Sequence, residues 1–473
     1  MTTTATTIDI FKYRPEDGGV LDAWRDVCGD DWIYVTGFEA WYAWTGTHYK
    51  LDDCQRLQRQ IQTLLDKMNR IANDELAALS GEDDNDEAIK AQRTKLRAYI
   101  AATTRTRNRV ASIEVMAQAH RAVAADRLNT LNVLNLKNGT LDLNTLTLKP
   151  HNRDDYLAYV LDYEYDPEAL APRFEQFVAE VLVKEGTTTT DFELCQLFQE
   201  LIAISLTNET KYEVMMWLSG SGGNGKTIVI KVIQWLLGTM ACNVNFETIG
   251  QMGNYDLADV QGKRVIFSTE SERGSKASEG YIKRIVSGET INARAIYGKP
   301  FEFQSIAKIW WAMNDKPLIK DTGNSIWRRL QLIPFNREFT EVEKDTDLLP
   351  KLHLELPGIL NFALDGLRRL RQRGRLPESK AVAAAIDDYR KENNPVLQWK
   401  DERTTATATA DTPASDLYGD YRLWALQDNG RHTFNSTNFG KELKRLKIAH
   451  RENCRHSRGI DQKVCNRYAL EIL

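Results

Sequence analysis

The stretch Gly220-Ser221-Gly222-Gly223-Asn224-Gly225-Lys226-Thr227 decides the fold. It fits the spacing G-x-x-x-x-G-K-[ST], with an apolar, strand-like run over 213–218 before it and a helical run over 228–237 after it. Glycines at 220, 222, 223 and 225 let the backbone curl, so that successive N–H groups and a helix N-terminus face phosphate oxygens. Lys226 is then expected to neutralise β/γ-phosphate charge, and Thr227 to hold Mg²⁺ through its hydroxyl. All eight residues are assigned to a nucleotide site, with ATP and Mg²⁺ as its cofactors.

Working outward, the chain alternates short apolar segments with helical ones, the pattern of a parallel sheet covered by helices on both faces. Residues 264–268 and 308–313 are the next clear strands. The first runs into Ser268-Thr269-Glu270-Ser271-Glu272, at the strand end where α/β proteins place their ligand chemistry. Glu270 is the candidate base and metal-side carboxylate, and Glu272 is its alternative. The second runs into Asn314, an amide placed to polarise an attacking water. Beyond it, Arg328 and Arg329 precede the strand-like Gln331-Leu332-Ile333-Pro334. An arginine there reaches a neighbouring subunit's γ-phosphate more easily than its own, as a trans finger. A surface salt bridge is the alternative for each.

The 473 residues suggest about three domains at roughly 150 residues each. With 42% apolar residues, 27% charged residues and a net charge of −4, bulk positive charge is excluded as a means of coating nucleic acid. A nucleic-acid site must therefore be local. No apolar run reaches the roughly 18 residues of a membrane span, and the N-terminus lacks the pattern of an export signal. The six cysteines form no CxxC pair, which fits a reducing cytoplasm; Cys454, His456 and Cys465 lack the paired spacing of a structural zinc site.

Residues 55–79 carry Leu57, Ile61, Leu64, Met68 and Ile71 on one helical stripe, and a second stripe follows through Ile89, Leu96 and Ile100. The acidic run 81–87 between them reads as a solvated hairpin tip. Lys137-Asn138-Gly139-Thr140 reads as a tight β-turn in which Asn-Gly supplies positive φ angles. The Thr/Ala-rich stretch 404–413 reads as a polar connection. The last 53 residues carry 11 Lys/Arg against 5 Asp/Glu, and Lys441, Lys444 and Lys447 recur every three residues on an expected helix that suits a DNA groove.

The ordered segments GSGGNGKT (220–227), RVIFSTESE (264–272), YIKRIVSGETINAR (281–294), KIWWAMNDKP (308–317) and IWRRLQLIPF (326–335) resemble the superfamily 3 helicases of phages, plasmids and poxviruses, often the helicase half of primase-helicases. Leu136-Lys137-Asn138-Gly139-Thr140-Leu141-Asp142-Leu143 and Tyr163-Glu164-Tyr165-Asp166-Pro167 resemble that family's N-terminal domain. The aromatic block 417–430 resembles its winged-helix C-terminal domain.

The resemblance implies an α/β chain: an AAA+-like P-loop ATPase core with an α+β N-terminal domain and a winged-helix-like C-terminal domain. The expected boundaries are a flexible 1–25, an N-terminal domain at 26–180, the ATPase at 181–345, a helical connection at 346–394 and the winged-helix-like domain at 395–473. It further implies a homo-oligomeric ring, usually a hexamer, moving 3′ to 5′ on single-stranded and forked DNA in the host cytoplasm, alongside a separate primase or polymerase. Lys226 and Thr227 take the Walker A roles, Glu270 the Walker B role and Asn314 the sensor role, with Arg328 and Arg329 as finger candidates. Lys283 opens the family's extra motif, here ending Ser-Gly-Glu rather than Gly-Gly-Asp. Lys299, in the turn Gly298-Lys299-Pro300 between two strand-like runs, matches the position of the family's DNA-gripping hairpin, where it would track phosphates in a channel. The short N-terminal part leaves no room for a primase fold, so no primer synthesis is expected. Two other readings stand beside this one: a P-loop ATPase for origin remodelling or DNA packaging, and a DNA-binding subunit whose ATP site only stabilises assembly.

Overall fold

The computed structural model describes residues 8–83, 85–245, 255–269, 278–294, 299–317, 319, 324–407, 410–426, 433–448, 450–458 and 461–472. The chain divides into two compact units, Met1–Tyr165 and Asp166–Leu473.

The first unit runs α1 (Asp17–Cys28), β1 (Trp32–Val35), β2 (Ala40–Trp44), β3 (Tyr49–Leu51), α2 (Arg56–Ala78), α3 (Glu87–Thr103), α4 (Arg107–Arg121), β4 (Ala122–Val123), β5 (Val133–Leu136), β6 (Gly139–Asp142) and β7 (Thr147–Lys149). The stripe on α2 buries Leu57, Ile61, Leu64 and Met68, as its spacing predicts, while Ile71 is half-buried. These side chains share one core with Val20 and Trp24 of α1 and with Leu96 and Tyr99 of α3. Residues 8–25 are therefore not a flexible tail: Ile8, Ile10, Val20, Leu21 and Trp24 are buried apolar groups. The acidic run also has a structural role, because the Asp86 carboxylate accepts the Ala88 N–H at 2.7 Å and caps α3.

The β5–β6 turn departs from the expected chemistry. Register pairs Leu136 with Gly139, so Lys137 and Asn138 form the loop, and neither has a positive φ. The positive φ falls on Gly139 alone, at +153°, which opens β6 and where a Cβ would lie 2.6 Å from the Lys149 carbonyl. Asn138 acts as an artificial strand partner, accepting from Tyr165 N at 3.0 Å and donating to Tyr165 O at 2.8 Å.

The second unit runs α5 (Pro172–Val181), α6 (Phe192–Ser205), β8 (Met215–Ser219), α7 (Lys226–Leu237), β9 (Ala241–Asn243), α8 (Tyr255–Ala258), β10 (Val265–Thr269), α9 (Glu279–Val286), β11 (Thr290–Arg294), β12 (Pro300–Gln304), β13 (Lys308–Met313), β14 (Leu330–Pro334), α10 (Leu348–Leu354), α11 (Leu356–Arg373) and α12 (Lys380–Glu392). Five parallel strands form a sheet in the order β14-β8-β13-β10-β9. One face packs Met215, Trp217, Ile309 and Trp311 into a core that includes Tyr389 of α12. On the other face, Trp310 Nε1 donates to Ser205 Oγ of α6 at 2.9 Å. Burial on both faces explains why these strands read as unbroken apolar runs. Helix α5 falls in the second compact unit, and α12 packs on this sheet core through Tyr389.

The chain then passes into α13 (Pro395–Arg403), β15 (Thr404–Ala406), β16 (Thr412–Pro413), α14 (Ala414–Leu426), α15 (Ser436–Arg445), β17 (His450–Arg458), β18 (Asp461–Tyr468) and β19 (Leu470–Ile472). Trp399, Leu417, Tyr421, Phe439 and Leu443 form a separate aromatic-rich core. The Thr-rich stretch is not simply a polar linker: β15 pairs with β19 and β16 with β18. Threonine's preference for extended backbone suits it to edge pairing.

Candidate nucleotide site

The sheet order places the loop after β8 and the loop after β13 side by side, because these strands are hydrogen-bonded neighbours whose register pairs Ser219 with Met313. Gly220 and Asn314 therefore start their loops level with each other at one sheet edge. A cavity of about 500 Å³ opens there, lined among others by Gly222, Asn224, Lys226, Thr227 and Asn314.

At Gly220 and Gly225 the loop meets its neighbours too closely for side chains, while Gly222 and Gly223 have open space. Gly223 and Gly225 have φ of +73° and +89°, and a Cβ on Gly225 would lie 2.9 Å from Val181 Cγ1. Helix α5 thus presses on the loop from outside. Lys226 is buried, and its Nζ donates to the carbonyls of Gly220 at 2.7 Å and Ser221 at 2.8 Å and to Asn224 Oδ1 at 2.9 Å. All three acceptors are neutral, so burial pushes the ammonium down from its ordinary 10.5 to about 8. A polyanion in the cavity would supply the charge that this ammonium lacks. The donor set fits a nucleoside triphosphate: a buried cation, loop N–H groups, the N-terminus of the 12-residue helix α7 and the exposed Thr227 hydroxyl.

The opposite wall comes from residues that the sequence motifs do not signal. Arg173 and Phe177 of α5, with Phe339, Glu343, Lys344 and Asp345, face the phosphate loop. Phe339 N donates to Gly223 O at 3.3 Å, and the Ser221 hydroxyl donates to the Glu338 carboxylate, tying this segment to the loop. Arg173 lies 3.4 Å from Glu180 and 3.7 Å from Asp345. Lys351 beside Asp345 holds that carboxyl below its usual range.

Glu270 and Glu272 lie outside the described residues, as do the side chains of Cys454, His456 and Cys465. Among the described residues no group of three His, Cys, Asp or Glu is arranged to hold a metal. Neither Arg328 nor Arg329 lines the cavity. Arg329 is tied inward, donating to Ser325 O at 2.7 Å and Ser287 Oγ at 2.8 Å and pairing with Glu213 at 2.8 Å. Arg328 keeps 60% of its side chain exposed and sits 3.5 Å from Glu213.

The expected DNA contacts are spread over three elements. Lys283 on α9 lies 3.8 Å from Glu279. Lys299 is exposed, but β11 pairs Arg294 with Pro300, so it stands at the foot of β12 and not at the turn's centre. Proline suits that first strand position because it gives up no ladder hydrogen bond. Lys441 and Lys444 are exposed on α15; Lys447 lies past its end, in left-handed backbone with φ +53°.

Residues 22–183 match a family described as D5 N terminal like, and residues 218–329 match a family described as of unknown function. The chain is 24% identical over 286 residues to a protein named as a helicase in Acanthamoeba polyphaga mimivirus, covering 55% of this chain and 29% of that protein. It is 24% identical over 166 residues to the Primase D5 of fowlpox virus, covering 33% of this chain and 21% of that one. In these matches the chain is similar to viral helicases and to a primase of the D5 kind. It spans less than a third of either curated relative. Among solved structures, the C-terminal region of NrS-1 aligns at a TM-score of 0.40 and 12% identity, covering 69% of this chain and 87% of that one.

Proposed function

We propose that this chain is an ATP-dependent DNA helicase of superfamily 3, acting in replication of a phage or other mobile element. The observation that supports it is the meeting of the phosphate loop and Asn314 at one edge of a parallel sheet, around a buried, under-compensated Lys226. The strand order, chain positions 5-1-4-3-2, is that expected of an AAA+-like core. In this reading Lys226 takes up β/γ-phosphate charge, and Thr227 with Glu270 holds Mg²⁺, which when bound neutralises charge on the transferring phosphoryl group. Glu270 accepts the proton of the attacking water, with Glu272 its alternative, and Asn314 orients that water. Arg328, exposed where Arg329 is internally bonded, is the residue offered to a neighbouring copy in a hexameric ring.

Lys283 and Lys299 face DNA in the channel as the ring moves 3′ to 5′ on single strands. The order of 395–473, a helix, two short strands, two helices, a hairpin and a last short strand, supports a winged-helix-like reading in which α15 is set against a DNA groove. No helix among the described residues is long and apolar enough to cross a membrane, and the expected setting is the host cytoplasm with a separate primase or polymerase.

Strand displacement on a 3′-tailed fork tests the reading. The wild-type chain should unwind with ATP and Mg²⁺, Glu270→Gln should bind ATP without turnover, and Lys299→Ala should keep ATP binding while losing DNA-stimulated turnover. ATP turnover without displacement would favour a remodelling or packaging motor instead.

A further inference from the structure

The end of α12 touches two parts of the molecule that the proposed function keeps separate. Asn393 clamps the peptide of Ile319 from both sides: its Oδ1 accepts the Ile319 N–H at 3.1 Å and its Nδ2 donates to the Ile319 carbonyl. The Tyr389 hydroxyl donates to Pro317 O, and Lys316 pairs with Glu392 at 2.8 Å. Three positions at one helix end therefore hold the segment that leaves Asn314. The preceding turn holds the approach to Arg328 as well. Arg390 donates to Asn324 Oδ1 at 2.7 Å and lies over the Trp327 ring at 5.2 Å.

The next residue faces the other way. Asn394, 8% exposed, caps α13 by accepting from Val396 N and Leu397 N, both at 3.1 Å. Its Nδ2 donates to Glu442 Oε1 at 2.6 Å. Glu442 is 2% exposed and sits on α15 between Lys441 and Lys444. A buried carboxylate in a basic helix gains nothing from water and would weaken attraction to phosphates; here Oε1 both pairs with Arg445 of α15 at 3.0 Å and accepts from Asn394, so it joins its own helix to the end of α12. No slack separates the two halves, because Asn393 N bonds Tyr389 O at 2.9 Å and Asn394 N bonds Lys391 O at 3.1 Å.

We propose that Asn393 and Glu442 are positioning residues that couple the nucleotide-sensing Asn314 loop to the basic helix α15, so that a nucleoside triphosphate and duplex DNA bind cooperatively. This rests on the helicase reading and extends it to which residues carry the communication. Packed, hydrogen-bonded contacts are the physical means by which two sites bias one another, and the coupling must be reciprocal between the two ligands.

The test uses the full chain, a non-hydrolysable ATP analogue and a forked DNA whose affinity is measured with and without the analogue. The wild-type chain should show a coupling of about fivefold or more. Glu442→Ala and Asn393→Ala should each bring it to within about twofold of unity; the analogue alone should bind as before, and Glu442→Ala, which removes a negative charge from α15, should tighten DNA binding alone. Glu442→Gln, which keeps the accepting oxygen, should retain the coupling. If one alanine variant fails to fold, the other approaches from the opposite end of the bonded chain, and Asn393→Asp exchanges the donor to the Ile319 carbonyl for a charged acceptor. Full coupling in folded variants overturns the proposal, as does a wild-type coupling of one in a chain that unwinds DNA. A wild-type chain with neither turnover nor displacement overturns the helicase reading beneath it.

Discussion

The phosphate loop and helix α15 both carry lysines proposed to meet anions, yet they hold them in opposite ways. Lys226 is buried, triply hydrogen-bonded and pushed down to about 8, whereas Lys441 and Lys444 project into solvent. A desolvated, preorganised cation acts strongly at one point on one ligand, because little screening water stands between it and the phosphate. Solvated cations act weakly and additively through a field that salt screens. The nucleotide site thus depends on individual atoms, and the basic helix depends on summed charge.

The largest effect separating the two regions should be Lys226→Ala, which is expected to lower ATP turnover by about 100-fold or more, the scale of removing one preorganised electrostatic group. A steady-state ATPase assay checks it; a decrease of only a few-fold would place Lys226 with the solvated lysines. Next is pH. The folded-state value of Lys226 lies below its ordinary 10.5, so between about 8 and 10.5 the folded chain binds fewer protons than the unfolded one. The destabilisation from burying this charge is present below about 8 and is relieved as pH rises towards 10.5. Nucleotide binding needs the charged form, so affinity should be flat below pH 8 and weaken by up to about tenfold per unit above it. Titration calorimetry across that window checks the slope, and Lys226→Arg should abolish it.

A smaller contrast concerns the paired arginines. Arg329→Ala should lower stability by about 1–3 kcal/mol, since it removes a buried guanidinium that bonds Ser325 O and Ser287 Oγ. Arg328→Ala should leave thermal melting nearly unchanged and depress turnover only through the assembly, which mixing with wild-type subunits would reveal. Smallest is the double change Lys441→Ala and Lys444→Ala. It should weaken duplex binding evenly across sequences and reduce the slope of log affinity against log salt by about 1 for each DNA phosphate that is no longer neutralised.

Much of the sheet was legible because its strands are apolar on both faces and its loop is glycine-marked. The runs at 213–218, 264–268 and 308–313 all became neighbouring strands. The α2 stripe was legible for a similar reason, its period matching a helix with one buried side. Readings failed where a tertiary partner overrode local chemistry. Residues 8–25 read as flexible in sequence, yet Trp24 and Ile10 fill a core shared with α2 to α4. The Asn-Gly turn keeps a positive φ at Gly139 alone, where the glycine also permits close approach to Lys149. Lys447 continued the three-residue repeat only on paper, because α15 ends at Arg445.

By itself the amino-acid order determined the phosphate loop, since G-x-x-x-x-G-K-T encodes its own backbone freedom, cation and hydroxyl within eight consecutive residues. It also determined the buried parallel strands, whose periodicity is a local property. Only the tertiary structure decided that Asn314 stands level with Gly220, that Arg173 and Phe339 close the far wall, and that Arg329 turns inward while Arg328 does not. Those facts depend on strand order and on contacts between residues more than a hundred positions apart in some cases, which no local pattern of side chains contains.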